Sequence, residues 1–364
     1  MSIKILHTAD LHLGCRQYGI EERELDFYKA LKNIANVAIE QKVDGVIIAG
    51  DIFDVQRPTP VAVSQMQKFV EKCHENNIRV LGIEGNHDKT KSRHEWVEIC
   101  GIERITADSP AIFNDDFSVV GIPYMGKPED FIEELENIKH WNPGGVDVLV
   151  THQGFLELGD PFSADMSIEN MLDKFENLKI AYIANGHIHK KMSYIAKNDN
   201  YTLTVGQPGA IELKSTSEDP NKYVFIVSID DSRSVSIEAV KINTRPVWFF
   251  DICSDDDLSQ ISKNNICDSL VFVKLAQSLD SGFEKVNHAI DISTEENNGK
   301  RPILRIIPIG ESSETFDRTT AVKSLEEAIE IYFEKDSVEY NLVSALLASP
   351  DSVSDIAKEF IKNE

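Results

Sequence analysis

"IAGDIFD", residues 48–54, runs a short apolar strand directly into a carboxylate, Asp51, and three positions later into a second, Asp54. A Gly-Asp step after a strand is often only a turn, in which the aspartate accepts from the following amides. The other reading is that the strand delivers charge to a site. Whether further strands end the same way separates the two. They do. "IKIL" (3–6) leads into "HTADLHLG", which brings Asp10 and His12; "IRVLGI" (78–83) leads into "EGNHDK", with Asn86, His87 and Asp88. "VDVLVT" (146–151) leads into His152 of "THQG", and "IAYIAN" (180–185) into "GHIHK", with His187 and His189. In an open α/β sheet, loops at the carboxyl ends of strands converge on one edge, where ligands bind. Five of the ten histidines fall in these loops; His7, His74, His94, His140 and His288 do not, and read as structural or solvent-facing.

Imidazoles, carboxylates and one amide, with no thiolate, suit divalent ions such as Mn²⁺, Fe²⁺ or Zn²⁺. Two such ions side by side need a bridging carboxylate, and Asp51 is the natural one. Gly50, Gly85 and Gly186 flank the loops, where backbone must turn sharply and approach closely.

Between these strands, apolar residues recur at helical spacing over 21–41 (Leu25, Tyr28, Leu31, Ile34, Ala35, Ala38), 60–76, 128–139 and 166–176. Beyond residue 190 the texture turns to strands without helices: "KMSYIA", "YTLTVG", "KYVFIVSI" and "SVSIEAV". This predicts a layered α/β domain closed by antiparallel strands. "TRP" (244–246) then marks a boundary, followed by β-α-β-α-β: "VWFFDI", a helix at 255–265, "SLVFVKLA", a weak helix at 282–290 and "PILRIIPI". The expected domains are 1–244, 245–315 and 316–364. The last holds amphipathic patterns at 318–334 and 352–362 with "YNLVSALLA" between them.

The chain has 364 residues and a net charge of −24, from 37 Lys+Arg against 61 Asp+Glu. Residues 251–364 hold 23 acidic and 11 basic residues, a net of −12, so the first 250 carry the other −12. Such a chain repels nucleic acid at long range, and acting on DNA would require metal ions, a local basic patch or a partner. The best local candidates for DNA contact are Arg57, Lys89, Lys91 and Arg93, beside two of the strand-end loops; a solvated charge cluster is the equal alternative. No apolar run is long enough to span a bilayer, and "MSIKILHTAD" enters a strand with no signal-peptide core. Five scattered cysteines without a CxxC pair fit a reducing cytoplasm.

The ordered set D-x-H, G-D-x-x-D, G-N-H-D, strand-H and G-H-x-H resembles the calcineurin-like metallophosphoesterase superfamily. Through "HTADLHLG", "AGDIFD", "IEGNHDKT", "THQG", "NGHIHK" and "GQPGAIE" it resembles more closely the DNA-repair branch, the SbcD / Mre-eleven nucleases. The resemblance reaches to around residue 310, with the strongest motifs before residue 215. It implies a four-layer α-β-β-α phosphoesterase domain, a smaller α+β capping domain and C-terminal helices. It further implies two metal ions, Mn²⁺ above all, one held by Asp10, His12, Asp51 and His189, the other by Asp51, Asn86, His152 and His187. His87 would be the catalytic histidine. The sequence departs from many members at Asp54, where archaeal and eukaryotic ones tend to carry His. The implied activity is 3′→5′ exonuclease and single-strand endonuclease action on DNA, by a homodimer bound to an SbcC / Rad-fifty-type ABC ATPase. The C-terminal helices would either finish the cap or dock on that ATPase. A standalone phosphatase or cyclic-nucleotide phosphodiesterase using the same metal site is the competing expectation.

Overall fold

Three parallel strands, β1 (Ile3–Thr8), β2 (Gly45–Ala49) and β3 (Arg79–Ile83), are linked by α1 (Glu21–Gln41) and α2 (Pro60–His74). A short helix, α3 (Trp96–Ile99), leads to an edge strand, β4 (Glu103–Arg104). The chain then starts a second sheet with β5 (Ala111–Phe113), β6 (Phe117–Ile122), α4 (Pro128–Trp141), β7 (Val148–Thr151), α5 (Leu172–Asn177), β8 (Tyr182–Asn185), β9 (Met192–Lys197) and β10 (Thr202–Gln207). β11 (Tyr223–Ile229) and β12 (Val235–Lys241) return to the first sheet, with β11 antiparallel to β1 in the register Ile5↔Val227. The sheet orders are β12-β11-β1-β2-β3-β4 and β5-β6-β7-β8-β10-β9. The computed structural model describes residues 2–88, 96–114, 117–159 and 166–309. Lys89, Lys91 and Arg93, and the helical patterns expected at 318–334 and 352–362, lie outside the described residues.

Strands buried on both faces read as continuous apolar runs, and the two-residue period sorts their side chains. Ile3, Ile5, Ala9, Ile47, Ala49, Leu81 and Ile83 of the first sheet pack in one cluster with Val119, Val148, Val150, Tyr182 and Ala184 of the second. The alternate residues Leu6, Val46, Ile48 and Val80 face α1 and α2, through Phe27, Leu31, Ile34, Met66 and Phe69. Val120, Ile122, Leu149 and Ile183 likewise meet Phe131, Leu135 and Ile138 of α4 and Phe175 of α5. The result is the four-layer α-β-β-α arrangement that the resemblance implied. The strand-end loops leave both sheets, after β1, β2 and β3 in the first and after β7 and β8 in the second.

Helix ends follow local chemistry. Three glutamates in the first turn of α1 (Glu21, Glu22, Glu24) complement its dipole, and α2 starts at Pro60 with Thr59 Oγ1 accepting from the Ala62 amide at 3.2 Å. The helix expected over 166–176 is shorter. The Glu157 carboxylate accepts from the amides of Ile168 and Glu169, so residues 169–171 form a tight 3-10 turn, and the α-helix begins only at Leu172.

The C-terminal region builds a three-stranded sheet, β13 (Val247–Ile252), β14 (Leu270–Ala276) and β15 (Ile303–Ile309), with β14 central. Its helices are α6 (Leu258–Ser262) and α7 (Gly282–Glu296). α7 outlasts its apolar pattern by a turn, with the buried Ser293 donating to the Asn264 carbonyl at 2.6 Å. The described residues pack as two compact units, a larger one of residues up to Trp248 with Asn265–Val271 and Thr294–Ile303, and a smaller one of Phe249–Asn264, Phe272–Ser293 and residues 304–309. Among the described residues no helix is long and apolar enough to cross a membrane.

Candidate metal centre

Strand-end loops at the carboxyl edge of both sheets converge on one place, and the backbone there is under constraint. Asp10 (φ 52°), His12 (φ 43°), Asp51 (φ 50°) and His187 (φ 85°) all adopt left-handed conformations, which L-residues visit rarely and at a cost. Asp and His are among the residues that tolerate this best. Two glycines let the loops touch: a Cβ on Gly50 would collide with the His152 ring, and one on Gly85 with the Asp51 carboxylate. Asp88 ties two of the loops together, accepting from the Gly85 amide at 2.6 Å and the Ile52 amide at 2.5 Å. Burial and the nearby Asp51 charge push its carboxyl up to about 7, against the pull of those amides.

The structure brings together all seven residues singled out as ligands. Asp51 Oδ2 sits 3.6 Å from His12 Nε2 and 3.4 Å from His152 Nε2, between two imidazoles. On one side, His12 Nε2 and His189 Nε2 lie 3.0 Å apart, with Asp10 Oδ1 3.9 Å from His189. On the other, Asn86 Oδ1 is 3.2 Å from His152 Nε2 and 3.0 Å from His187 Nδ1. The His187 amide donates to Asp10 Oδ1 at 3.1 Å, which links the two sides. The His87 amide donates to Asp51 Oδ1 at 2.9 Å, and its ring meets that of His12 edge-on at 4.8 Å. Val55, Gln56, Arg57, Asn86 and His87 line an open groove beside the cluster.

Does this donor set fit a metal? His152 Nδ1 lies 2.7 Å from the Ala49 carbonyl and must donate to it, so Nε2 turns an unprotonated lone pair toward Asp51 and Asn86 oxygens. His189 Nδ1 lies 3.0 Å from Glu218 Oε1, so its Nε2 points unprotonated into the cluster as well. Asp10 Oδ2 is buried and accepts no hydrogen bond among the described residues. Lone pairs aimed at lone pairs, and a buried carboxylate oxygen without a donor, demand positive charge. Divalent cations satisfy all of these atoms together. Without one, protons must serve. Burial lowers the His152 ring, but the hydrogen bond and charge of Asp51, with Asp10 behind, outweigh it and hold the ring up at about 9. Burial works against the Asp51 anion too, yet His152, His12 and the His87 amide hold it below the usual carboxylate range. Metal binding displaces such protons.

Behind the histidines stand Asp54 of the opening stretch and three residues that strand-end reasoning missed, Lys214, Glu218 and Lys222. His12 Nδ1 faces Asp54 Oδ1 at 3.2 Å and Lys214 Nζ at 3.0 Å, while Lys214 donates to Asp54 at 2.7 Å. Glu218 backs His189, and Lys222 donates to its other oxygen at 2.6 Å. His87 Nδ1 reaches the Asp54 carbonyl at 2.9 Å. Lys214, Glu218 and Lys222 sit in the charged connection from β10 to β11, and the signal that marks it is the preceding "GQPGAIE".

The calcineurin-like phosphoesterase family matches the chain over residues 3–191, more than half its length, and that stretch holds every one of the seven converging residues and His87. The chain belongs to the calcineurin-like phosphoesterase family. Its similarity to particular members runs further along the chain. It is 25% identical to the DNA double-strand break repair protein Mre11 of Methanococcus maripaludis, over 100% of this chain and 91% of that protein. It is 27% identical to the Saccharolobus solfataricus protein of the same name (85% of this chain, 76% of that one) and 30% identical to that of Archaeoglobus fulgidus (72% and 64%).

Proposed function

We propose that this chain is a two-metal DNA nuclease of double-strand-break repair, a manganese-dependent 3′→5′ exonuclease and single-strand endonuclease. In this reading it works in the cytoplasm as a homodimer with an SbcC / Rad-fifty-type ATPase. The observation that carries the reading is the reach of the similarity. A standalone phosphatase or cyclic-nucleotide phosphodiesterase would share the metal-site region alone, whereas the likeness to the Methanococcus protein spans the whole chain, smaller unit included.

One metal position is assigned to Asp10, His12, Asp51 and His189, the other to Asp51, Asn86, His152 and His187, with Asp51 common to both. Two divalent ions held there would supply Lewis-acid charge to a phosphodiester and to the attacking water. The chain's own residues do the rest. His12, His152 and His189 hold fixed positions through their outer contacts with Asp54, the Ala49 carbonyl and Glu218. His87 donates from Nδ1 to the Asp54 carbonyl, which leaves Nε2 to face the scissile phosphate; as the imidazolium the ring passes its Nε2 proton to the departing oxygen and returns to the neutral form, a step worth roughly 10²–10⁴-fold. Arg57, in the same groove, is assigned to a backbone phosphate. The net charge of −24 makes the affinity of the isolated chain for DNA low, and the partner ATPase is the source of the remainder.

The test is direct. Metal-stripped protein, reloaded with Mn²⁺, is given 3′-labelled blunt duplex and circular single-stranded DNA. Nucleotides released from the 3′ end and nicked circles, both dependent on metal, are the expected result. Hydrolysis of bis-p-nitrophenyl phosphate without cleavage of either DNA would return the chain to the standalone phosphoesterases.

A further inference from the structure

We infer that Glu218, locked by Lys222, is the positioning residue for one of the two metal positions only, the one assigned to His12 and His189; this rests on the two-metal reading above. The geometry is asymmetric. On the far side, His152 leans on the Ala49 carbonyl, so backbone does the orienting of that ring. On the near side the outer groups are charged side chains, and apart from Asp54 they come from one loop. Glu218 Oε1 holds His189 Nδ1 at 3.0 Å, and Glu218 Oε2 takes the Lys222 ammonium at 2.6 Å and the Lys214 amide at 3.3 Å. The Lys214 side chain continues to Asp54 and the His12 ring.

This loop is anchored from behind. The fully buried Arg23 donates to the Leu213 carbonyl at 3.0 Å and to Asp26 at 2.6 Å, so Lys214 leaves a fixed point. Lys222 is itself only 4% exposed, and Glu218 is the one hydrogen-bond partner found for its ammonium among the described residues. A buried lysine paired with a carboxylate in a connecting loop gains little stability over an apolar pair. Its effect here is on Glu218. With one carboxylate oxygen held, the other can point only at His189 Nδ1, which compels the tautomer whose Nε2 lone pair faces the metal. A carboxylate behind a ligating imidazole also raises its basicity, and losing such partners typically costs 10–100-fold in metal affinity.

The experiment titrates Mn²⁺ into the metal-free full chain, followed by calorimetry and by metal analysis after gel filtration, with thermal melting of the same metal-free samples. Wild type is expected to take two ions per chain. Glu218→Ala is expected to keep one with unchanged affinity and to bind the other 10–100-fold more weakly. A folding-safe companion, Glu218→Gln with Lys222→Met, removes both buried charges but keeps an acceptor oxygen for Nδ1. It should melt like wild type and show a smaller loss at the same single position. Two ions bound as tightly as in wild type in either variant would overturn the assignment, as would equal weakening of both ions in the companion. A wild-type chain that takes up no metal would instead strike down the two-metal reading itself.

Discussion

The two sheets contribute to the site in different currencies of charge. The first sheet, through the loops after β1, β2 and β3, brings the carboxylates Asp10 and Asp51, the amide Asn86, and His12 and His87; the second, through β7 and β8, brings imidazoles alone, His152, His187 and His189. The first group is anchored by its own backbone, in left-handed turns and by the Asp88 clamp. The second is anchored on the first, since His152 donates to Ala49 of β2 and the His187 amide to Asp10. Neither sheet makes a binding site alone. Metal affinity therefore reports how well the two sheets are packed, as well as which ligands are present.

The sharpest way to break this comparison is at Asp51, where both groups meet. Asp51→Asn is expected to cost both metals together and to lower cleavage by about 10³-fold or more, while His12→Ala loses one ion. Metal analysis of the purified variants decides, and equal single-ion loss in both would remove the bridge. Next comes His87, which belongs to the first sheet but is assigned no metal. His87→Ala should lower turnover by roughly 10²–10⁴-fold with metal content and DNA affinity near wild type. A variant that emerges metal-free would make His87 a ligand.

Smaller effects test the packing between sheets. A Cβ at Gly186, at the end of β8, would press on the Ala49 carbonyl and on the His152 ring at 2.7 Å. Gly186→Ala should cost about 1–3 kcal/mol and weaken metal binding at the His152 side. An unchanged melting curve with full metal content would mean the loops yield freely. The mildest probe is pH. His7 lies buried between the sheets, its Nδ1 2.7 Å from the Tyr182 hydroxyl, and burial drives its ring down from 6.5 to about 3. A neutral buried histidine lowers the folded pKa, so between these values the unfolded chain binds the extra proton, and stability falls as pH drops below 6.5. At pH 5 the loss against neutral pH is about 2 kcal/mol. Unfolding free energies of the metal-free protein from urea titrations at pH 7 and 5 should differ less for His7→Gln than for wild type by that amount. Matching differences would mean His7 titrates as it does in the unfolded chain.

The site was largely legible in sequence because a strand-to-turn junction is a local event: an apolar run, a glycine, then a donor. Asp10, His12, Asp51, Asn86, His87, His152, His187 and His189 all stand at such junctions, and folding gathers them. Two things were not legible. The pairing of strands into separate sheets depends on contacts far apart in sequence, such as β11 returning to β1 across more than two hundred residues. The outer partners were hidden for a different reason. "KSTSEDPNK" has the composition of a solvated loop, and nothing local says that Glu218 and Lys222 turn inward. The shortened helix before β8 belongs with these, since the carboxylate that delays its start comes from Glu157, in a separate turn.

The left-handed backbone at residues 10, 12, 51 and 187 narrows what can ever be tried there. Outside glycine, that conformation favours Asp, Asn and His, and these are also oxygen and nitrogen donors suited to intermediate divalent ions. Attempts to retune the metal preference by swapping ligand identity therefore meet a conformational filter before a chemical one. Cysteine or glutamate at Asp51 must first pay for the turn, and a β-branched residue there would be strained whatever it coordinates. Variation that reaches a different metal is cheaper one shell out, at Asp54 or Glu218, where neither residue carries a positive φ.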